Sequence, residues 1–163
     1  MWNTPLAQEV VRKIDDILSA VHSEEELLDS ICALLHETML RYNWVGFYML
    51  EREPGAEPML VLGPFRGSMT PHTRIPLNQG ICGAAVSSGK TVVVDDVTKD
   101  ARYLACSLET KSEIVVPVFV SGEVVGELDI DSHFPAAFGQ EDRLLCEYVA
   151  SMTGVALERL RKK

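Results

Sequence analysis

A cysteine in a polar loop, Cys106, is followed seven positions later by a carboxylate, Glu113, at the start of an apolar run, Ser112-Glu113-Ile114-Val115-Val116-Pro117. A tight turn at Ser121-Gly122 leads into Glu123-Val124-Val125-Gly126-Glu127-Leu128-Asp129-Ile130-Asp131. Alternation with a period of two puts Val124, Gly126, Leu128 and Ile130 on one face of that strand, and Glu127, Asp129 and Asp131 on the other. Like charges at this spacing repel unless a cation sits between them or one carboxyl keeps its proton. Two readings follow: a solvated strand face, or a pocket for a small cation beside a reactive thiol.

A second cysteine, Cys82, falls in Asn78-Gln79-Gly80-Ile81-Cys82-Gly83-Ala84-Ala85-Val86, which reads as a glycine-opened helix ending at Ser88-Gly89. Unpaired amides and the helix dipole in a first turn favour a thiolate, so Cys82 is expected in an electropositive setting. Its glycines lack the spacing and the Lys-Ser/Thr ending of a nucleotide loop. Cys32 and Cys146 lie beside apolar helical stripes and read as small buried hydrophobes. The four cysteines have neither a disulfide-scaffold nor a zinc-knuckle spacing, so no metal ligand is assigned.

Elements must position these groups. Thr4-Pro5 opens a helix over 6–21, and Ser23-Glu24-Glu25-Glu26 a second one reaching about Arg41, with Leu27, Leu28, Ile31, Leu34, Leu35 and Met39 as its stripe. Trp44–Leu50 and Met59–Leu62 read as strands split by Glu53-Pro54-Gly55-Ala56. Trp44, Gly46 and Tyr48 share one strand face, with Val45, Phe47 and Met49 on the other. The two aromatics are either core or the wall of a pocket in which Gly46 leaves room for a ligand. A short strand at Arg74-Ile75-Pro76, the small helix, and strands at Thr91–Val94, from Glu113 and from Glu123 follow. A last helix opens at Gly139-Gln140-Glu141-Asp142, with Leu145, Tyr148, Val149, Met152, Val155 and Ala156 facing the sheet. This order predicts an α+β domain: a central, largely antiparallel six-stranded sheet with the N-terminal and C-terminal helices on one face.

The 163 residues fit one domain spanning 1–163, and 47% hydrophobic with 24% charged residues is an ordinary globular composition. A net charge of −9 speaks against nucleic acid, which demands clustered Lys and Arg. No stretch is apolar enough to cross a bilayer and no signal-peptide core opens the chain, so a cytoplasmic location is expected, with no membrane partner.

In order, Asn43-Trp44-Val45-Gly46-Phe47-Tyr48, Leu60-Val61-Leu62-Gly63-Pro64-Phe65, Gly80-Ile81-Cys82-Gly83, Ala105-Cys106, Ser112-Glu113-Ile114-Val115-Val116-Pro117 and Gly126-Glu127-Leu128-Asp129-Ile130-Asp131-Ser132 resemble the free methionine-(R)-sulfoxide reductases, stand-alone GAF-domain proteins. The resemblance covers about residues 40–150 and is most specific in the Glu-Ile-Val-Val-Pro and Leu-Asp-Ile-Asp-Ser blocks. It implies a GAF-like fold and reduction of free L-methionine (R)-sulfoxide. Cys106 matches the catalytic cysteine. Glu113, Asp129 and Asp131 match carboxylates that hold the substrate ammonium and assist proton delivery. Trp44 matches the aromatic against the substrate methyl group, with Tyr48 beside it, and Cys82 matches a second cysteine. The family carries a third cysteine, often considered the resolving one, just before the Arg-Ile-Pro strand. This chain has His72 there, with one extra residue in the preceding loop, so recycling moves to Cys82 or is lost. His72 is also a candidate for favouring the Cys106 thiolate. The implied cycle forms a sulfenic acid on Cys106, then a disulfide with Cys82, which thioredoxin reduces without any bound cofactor. Terminal helices are a possible homodimer surface, as in other GAF domains. The alternative is a non-catalytic module that senses a small amino compound or redox state.

Overall fold

The computed structural model describes residues 2–104 and 107–162. Cys106, the expected nucleophile, lies outside the described residues. Two capped helices come first. In α1 (Pro5–Ala20) the Thr4 hydroxyl accepts from the Ala7 amide, with Pro5 in the first turn where a missing N–H costs nothing. In α2 (Glu24–Thr38) the Ser23 side chain accepts from the Glu26 amide. This helix stops short of the expected Arg41: the Met39 amide closes the last turn on the Leu35 carbonyl, and Met39 itself is extended. Tyr42 then anchors the connection, its hydroxyl donating to Asp142 at 2.7 Å.

The strands are β1 (Trp44–Glu51), β2 (Met59–Arg66), β3 (Arg74–Pro76), β4 (Val92–Val94), β5 (Ser112–Val120) and β6 (Glu123–Ser132). They form one antiparallel six-stranded sheet in the order β3-β2-β1-β6-β5-β4. Helix α3 (Gly80–Ser88) and a 3-10 turn (Val97–Lys99) lie between β3 and β5, and α4 (Gln140–Arg161) closes the chain. The β5–β6 turn has positive φ at both Ser121 and Gly122, the backbone that matches the twist of a hairpin.

Two apolar clusters flank the sheet. One packs Val45, Phe47, Ile114, Val116, Leu128 and Ile130 against α1, α2 and α4, with Cys32 and Cys146 buried within it. Burial and the helix partners keep both thiols inert, Cys146 being pushed up to about 12. The other cluster joins Trp44, Tyr48, Val94 and Val115 to Ile81, Cys82, Ala85 and Val86 of α3. The expected helix-facing layer is therefore correct, and α3 covers the opposite face.

Two expectations about facing fail locally. Val118 pairs with Gly126 and Phe119 with Val124, so Val125 is the extra residue of a bulge. The alternation reverses there: Val125 packs with the helices and Val124 with the α3 side. On α4, Val155 is 59% exposed, and Thr153, Gly154 and Leu157 fill the face it was assigned to. Gly154 makes that approach possible, because a Cβ there would lie 2.1 Å from the Phe119 carbonyl oxygen. Among the described residues no helix is long and apolar enough to cross a membrane.

Candidate active site

Strand register builds the centre of the site. On the α3 side of the sheet, Glu113 faces Asp131, which faces Trp44. The next such rung joins Val115, Asp129 and Gly46, and the one after it Pro117, Glu127 and Tyr48. Four carboxyl groups thus converge on two adjacent strands. They are not solvated: Glu113, Glu127, Asp129 and Asp131 are 4%, 0%, 1% and 2% exposed.

Such a cluster cannot be fully ionised without a cation. Burial first, then the charges of Asp129 and Asp131, push Glu113 well above the carboxylate range. Burial and the charge of Asp129 do the same to Glu127 and Asp131. Asp129 is raised by burial alone, and hydrogen bonds from Glu113 and Cys82 work against that rise. Asp129 is therefore the member that carries charge most readily, and Glu113, bonded to both Asp129 and Asp131, is the shared acid. Apart from protons the carboxyl groups share among themselves, Asp129 Oδ1, Asp131 Oδ1 and both Glu127 oxygens are buried without a hydrogen-bond donor among the described residues. Unpaired buried carboxylate oxygens are expensive, which makes the cluster a place prepared for a positive ligand.

Helix α3 brings Cys82 onto the same cluster. Gly80 takes a φ of +72° against Leu104, and Gly83 sits where a Cβ would be 2.6 Å from the Leu77 carbonyl oxygen, so the helix start presses close to the backbone that leaves β3. The Cys82 thiol donates to Asp129 Oδ2 at 3.5 Å. The expected electropositive setting is corrected here. Burial, then Asp129, Glu127 and Glu113, push Cys82 well above the usual thiol range, outweighing the helix dipole. Cys82 rests as a protonated thiol. The structure also assembles what chain spacing did not reveal: one ligand atom from each of Cys82, Glu113 and Asp129 lies within 4.8 Å of the others.

Trp44 and Tyr48, both buried and with ring centroids 6.3 Å apart, form an aromatic wall on the α3 side of the sheet, and Gly46 between them serves a purpose other than leaving room for a ligand. Its missing Cβ would lie 2.4 Å from Cη2 of Trp44, so the room is taken by the indole rather than by a ligand. Gly67, at φ +120°, supports the other edge of the same ring. Trp44 stacks on Phe65 at 5.6 Å and donates its indole N–H to the Ser68 carbonyl at 2.9 Å. Tyr48 donates its hydroxyl to the His72 backbone carbonyl at 2.6 Å, which ties the loop carrying His72 to the wall.

A cleft of about 250 Å³ opens beside this wall, lined by Trp44, Asp131, Ser68, Thr70, Ser107 and Thr110. It lies at the small end of ligand pockets and suits an amino-acid-sized molecule. Ser107 follows Cys106 in the chain. The structure brings Cys82, Glu113, Asp129, Asp131, Trp44 and Tyr48 together. Glu127 was legible on the strand face but was not assigned to the site. The loop residues Ser68, Thr70 and Thr110 carried no sequence signal, because only the packing of two loops over the ends of the central strands β1 and β6 makes them neighbours.

A sequence profile described as GAF domain matches residues 23–157. The free methionine-R-sulfoxide reductase of Escherichia coli is 35% identical over 142 residues, covering 87% of this chain and 82% of that protein. Protein YtsP of Bacillus subtilis is 42% identical over 110 residues, 68% of this chain and 65% of that one, so the chain spans just under two thirds of that relative's length. A crystal structure of the free methionine-R-sulfoxide reductase of Neisseria meningitidis, in complex with its substrate, superposes with a TM-score of 0.88 at 36% identity, covering 96% of this chain and 90% of that one.

Proposed function

The chain belongs to the GAF-domain family and, within it, to the free methionine-R-sulfoxide reductases, and we propose that it reduces free L-methionine (R)-sulfoxide to L-methionine. The observation that carries the reading is the buried carboxyl cluster beside the Trp44–Tyr48 wall. A free amino acid brings an ammonium that pairs with Asp129 and favours ionisation of Asp131 beside it. A methionine within a peptide has none, so the cluster selects the free form.

The reaction divides among the residues as follows. The sulfur of Cys106 attacks the sulfoxide sulfur while the sulfoxide oxygen takes a proton. Oxygen then passes to Cys106, giving a sulfenic acid, and the substrate leaves as the thioether. Glu113 is the acid: burial and the charges of Asp129 and Asp131 raise its pKa well above the ordinary carboxyl range, which favours the protonated form. The Cys82 thiol then displaces water from the sulfenic acid to form a Cys82–Cys106 disulfide, which a dithiol such as thioredoxin reduces to two thiols. Because Cys82 rests protonated beside Asp129 and Glu127, its activation needs a proton acceptor, and the carboxylate freed of the substrate ammonium provides one. The whole of 1–163 acts as a single GAF domain, with no bound cofactor, in a reducing compartment such as the cytoplasm. The terminal helices remain the candidate homodimer surface.

Thioredoxin-coupled NADPH oxidation with the (R) and (S) isomers of free methionine sulfoxide tests the reading. Turnover with the (R) isomer alone, lost in Cys106→Ser, is expected. In Cys82→Ser, a single equivalent of methionine per chain without turnover is expected. No methionine from the wild-type chain would return the protein to a sensing role, and full turnover in Cys82→Ser would remove Cys82 from recycling.

A further inference from the structure

Cys82, Glu113 and Asp129 also meet the requirements of a metal site, and this arrangement is independent of turnover. A cavity of about 10 Å³ lies against all three, with Tyr48, Ile75, Ile81 and Leu104 as its apolar remainder. That space holds one water-sized particle and no organic group. The Sγ–Oδ2 separation of Cys82 and Asp129 is 3.5 Å. Bonds of ~2.3 Å to sulfur and ~2.0 Å to oxygen at a tetrahedral angle give a sulfur–oxygen edge of about 3.5 Å. Asp129 Oδ1 is buried without a partner among the described residues, so this aspartate retains ligand capacity after its bond to Cys82 is counted.

We propose that Cys82, Glu113 and Asp129 bind one thiophilic divalent cation, Zn2+ in the cell. A sulfur donor beside two carboxylates discriminates against Mg2+ and Ca2+, which take oxygen ligands alone, and suits Zn2+ or Co2+. Glu113 lies directly across the strand pair from Asp131, and Glu127 lies beside the thiol, so the carboxylates around the three ligands complement a doubly positive ion. The cation is an inhibitor and not a cofactor. It takes Asp129 and Glu113 from the substrate and Cys82 from any disulfide. That consequence rests on the reductase reading; the binding itself does not.

Co2+ titrated into reduced, metal-free protein is the probe. One ion per chain is expected, with near-ultraviolet sulfur-to-cobalt charge-transfer bands. The bands should vanish in Cys82→Ser and in Asp129→Asn, while melting curves confirm that both variants fold. Thiol counts should show Cys82 still present in Asp129→Asn. The cobalt bands should persist in Cys106→Ser. Absence of the charge-transfer band in the wild-type chain, its persistence in folded Cys82→Ser, or its loss in Cys106→Ser would overturn the assignment. Because nothing in this titration depends on methionine sulfoxide, its failure is separable from failure of the proposed activity.

Discussion

Four carboxyl groups on one sheet face differ in what surrounds them, and the differences assign their work. Asp129 receives hydrogen bonds from Glu113 and Cys82, both of which favour its charge. Burial first, then the charges of Asp129 and Asp131, hold the Glu113 carboxyl well above the usual carboxylate range. In the proposed mechanism Asp129 holds the substrate ammonium and Glu113 delivers a proton. Asp129→Asn is accordingly expected to raise KM ~10–100-fold, the loss of one charge-assisted bond of about 1.5–3 kcal/mol, with a smaller change in kcat. Glu113→Gln is expected to lower kcat ~10²–10³-fold with KM little changed, the usual weight of a general acid. Steady-state kinetics on the two variants in metal-free buffer measure this division. Parallel losses of kcat and affinity in both would show that the cluster acts as one undivided unit.

Helix α3 and strand β1 place these residues by close approach. The start of α3 packs on the backbone that leaves β3 because Gly83 has no side chain, and Trp44 folds flat because Gly46 has none. At Gly46 the backbone needs no left-handed conformation, so its role is purely steric. Gly46→Ala is expected to displace the Trp44 ring and break its bond to the Ser68 carbonyl. The stability cost is about 1–3 kcal/mol, typical of overpacking. Tryptophan fluorescence and the melting temperature report both effects, and an unchanged emission spectrum would show that the ring had found another seat. On the opposite face Gly154→Ala meets the Phe119 backbone rather than a movable side chain. It should destabilise the chain while leaving substrate affinity in the folded fraction unaltered.

For the whole molecule, the buried acids make stability depend on pH in an unusual direction. Glu113, Glu127 and Asp131 have pKa values raised on folding, so the folded chain keeps protons that the unfolded chain releases. Their contribution is complete below the ordinary carboxyl range and is lost as pH rises through the folded values. Half-buried Asp100 and Glu141 are held low, by Arg102 and by the Thr4 and Asn3 amides respectively, and act oppositely, their contribution fading as pH falls below the ordinary carboxyl range. The ligand-free protein should therefore be most stable near pH ~4–5, between these windows, and its melting temperature should fall toward pH 8. Glu127→Met removes one buried acid at similar volume and should flatten that decline. Melting temperatures from pH 4 to 8 test this; a wild-type profile that rises toward pH 8 would contradict the protonated cluster. A ligand carrying an ammonium should raise the melting temperature most at the alkaline end, where the cluster is most in need of a cation.

Much of this was determined locally. Caps at Thr4 and Ser23, turn residues at Ser121-Gly122, and alternation along Glu127–Asp131 depend on neighbours a few positions away, and all are where the sequence puts them. The motif blocks identified the family for the same reason: each is a short run whose residue types suffice. Other features depend on pairs far apart in the chain. Cys82 meets Asp129 across 47 positions, and that contact turns an expected thiolate into a protonated thiol. The bulge at Val125 follows from the register with Val118 and Phe119, and the role of Gly46 from the path of the Trp44 ring. Burial and charge proximity are sums over all neighbours in space. Residue types in order suggested which groups do the chemistry; only the packed sheet and α3 decided which of them hold protons, which hold charge, and which a single cation can join.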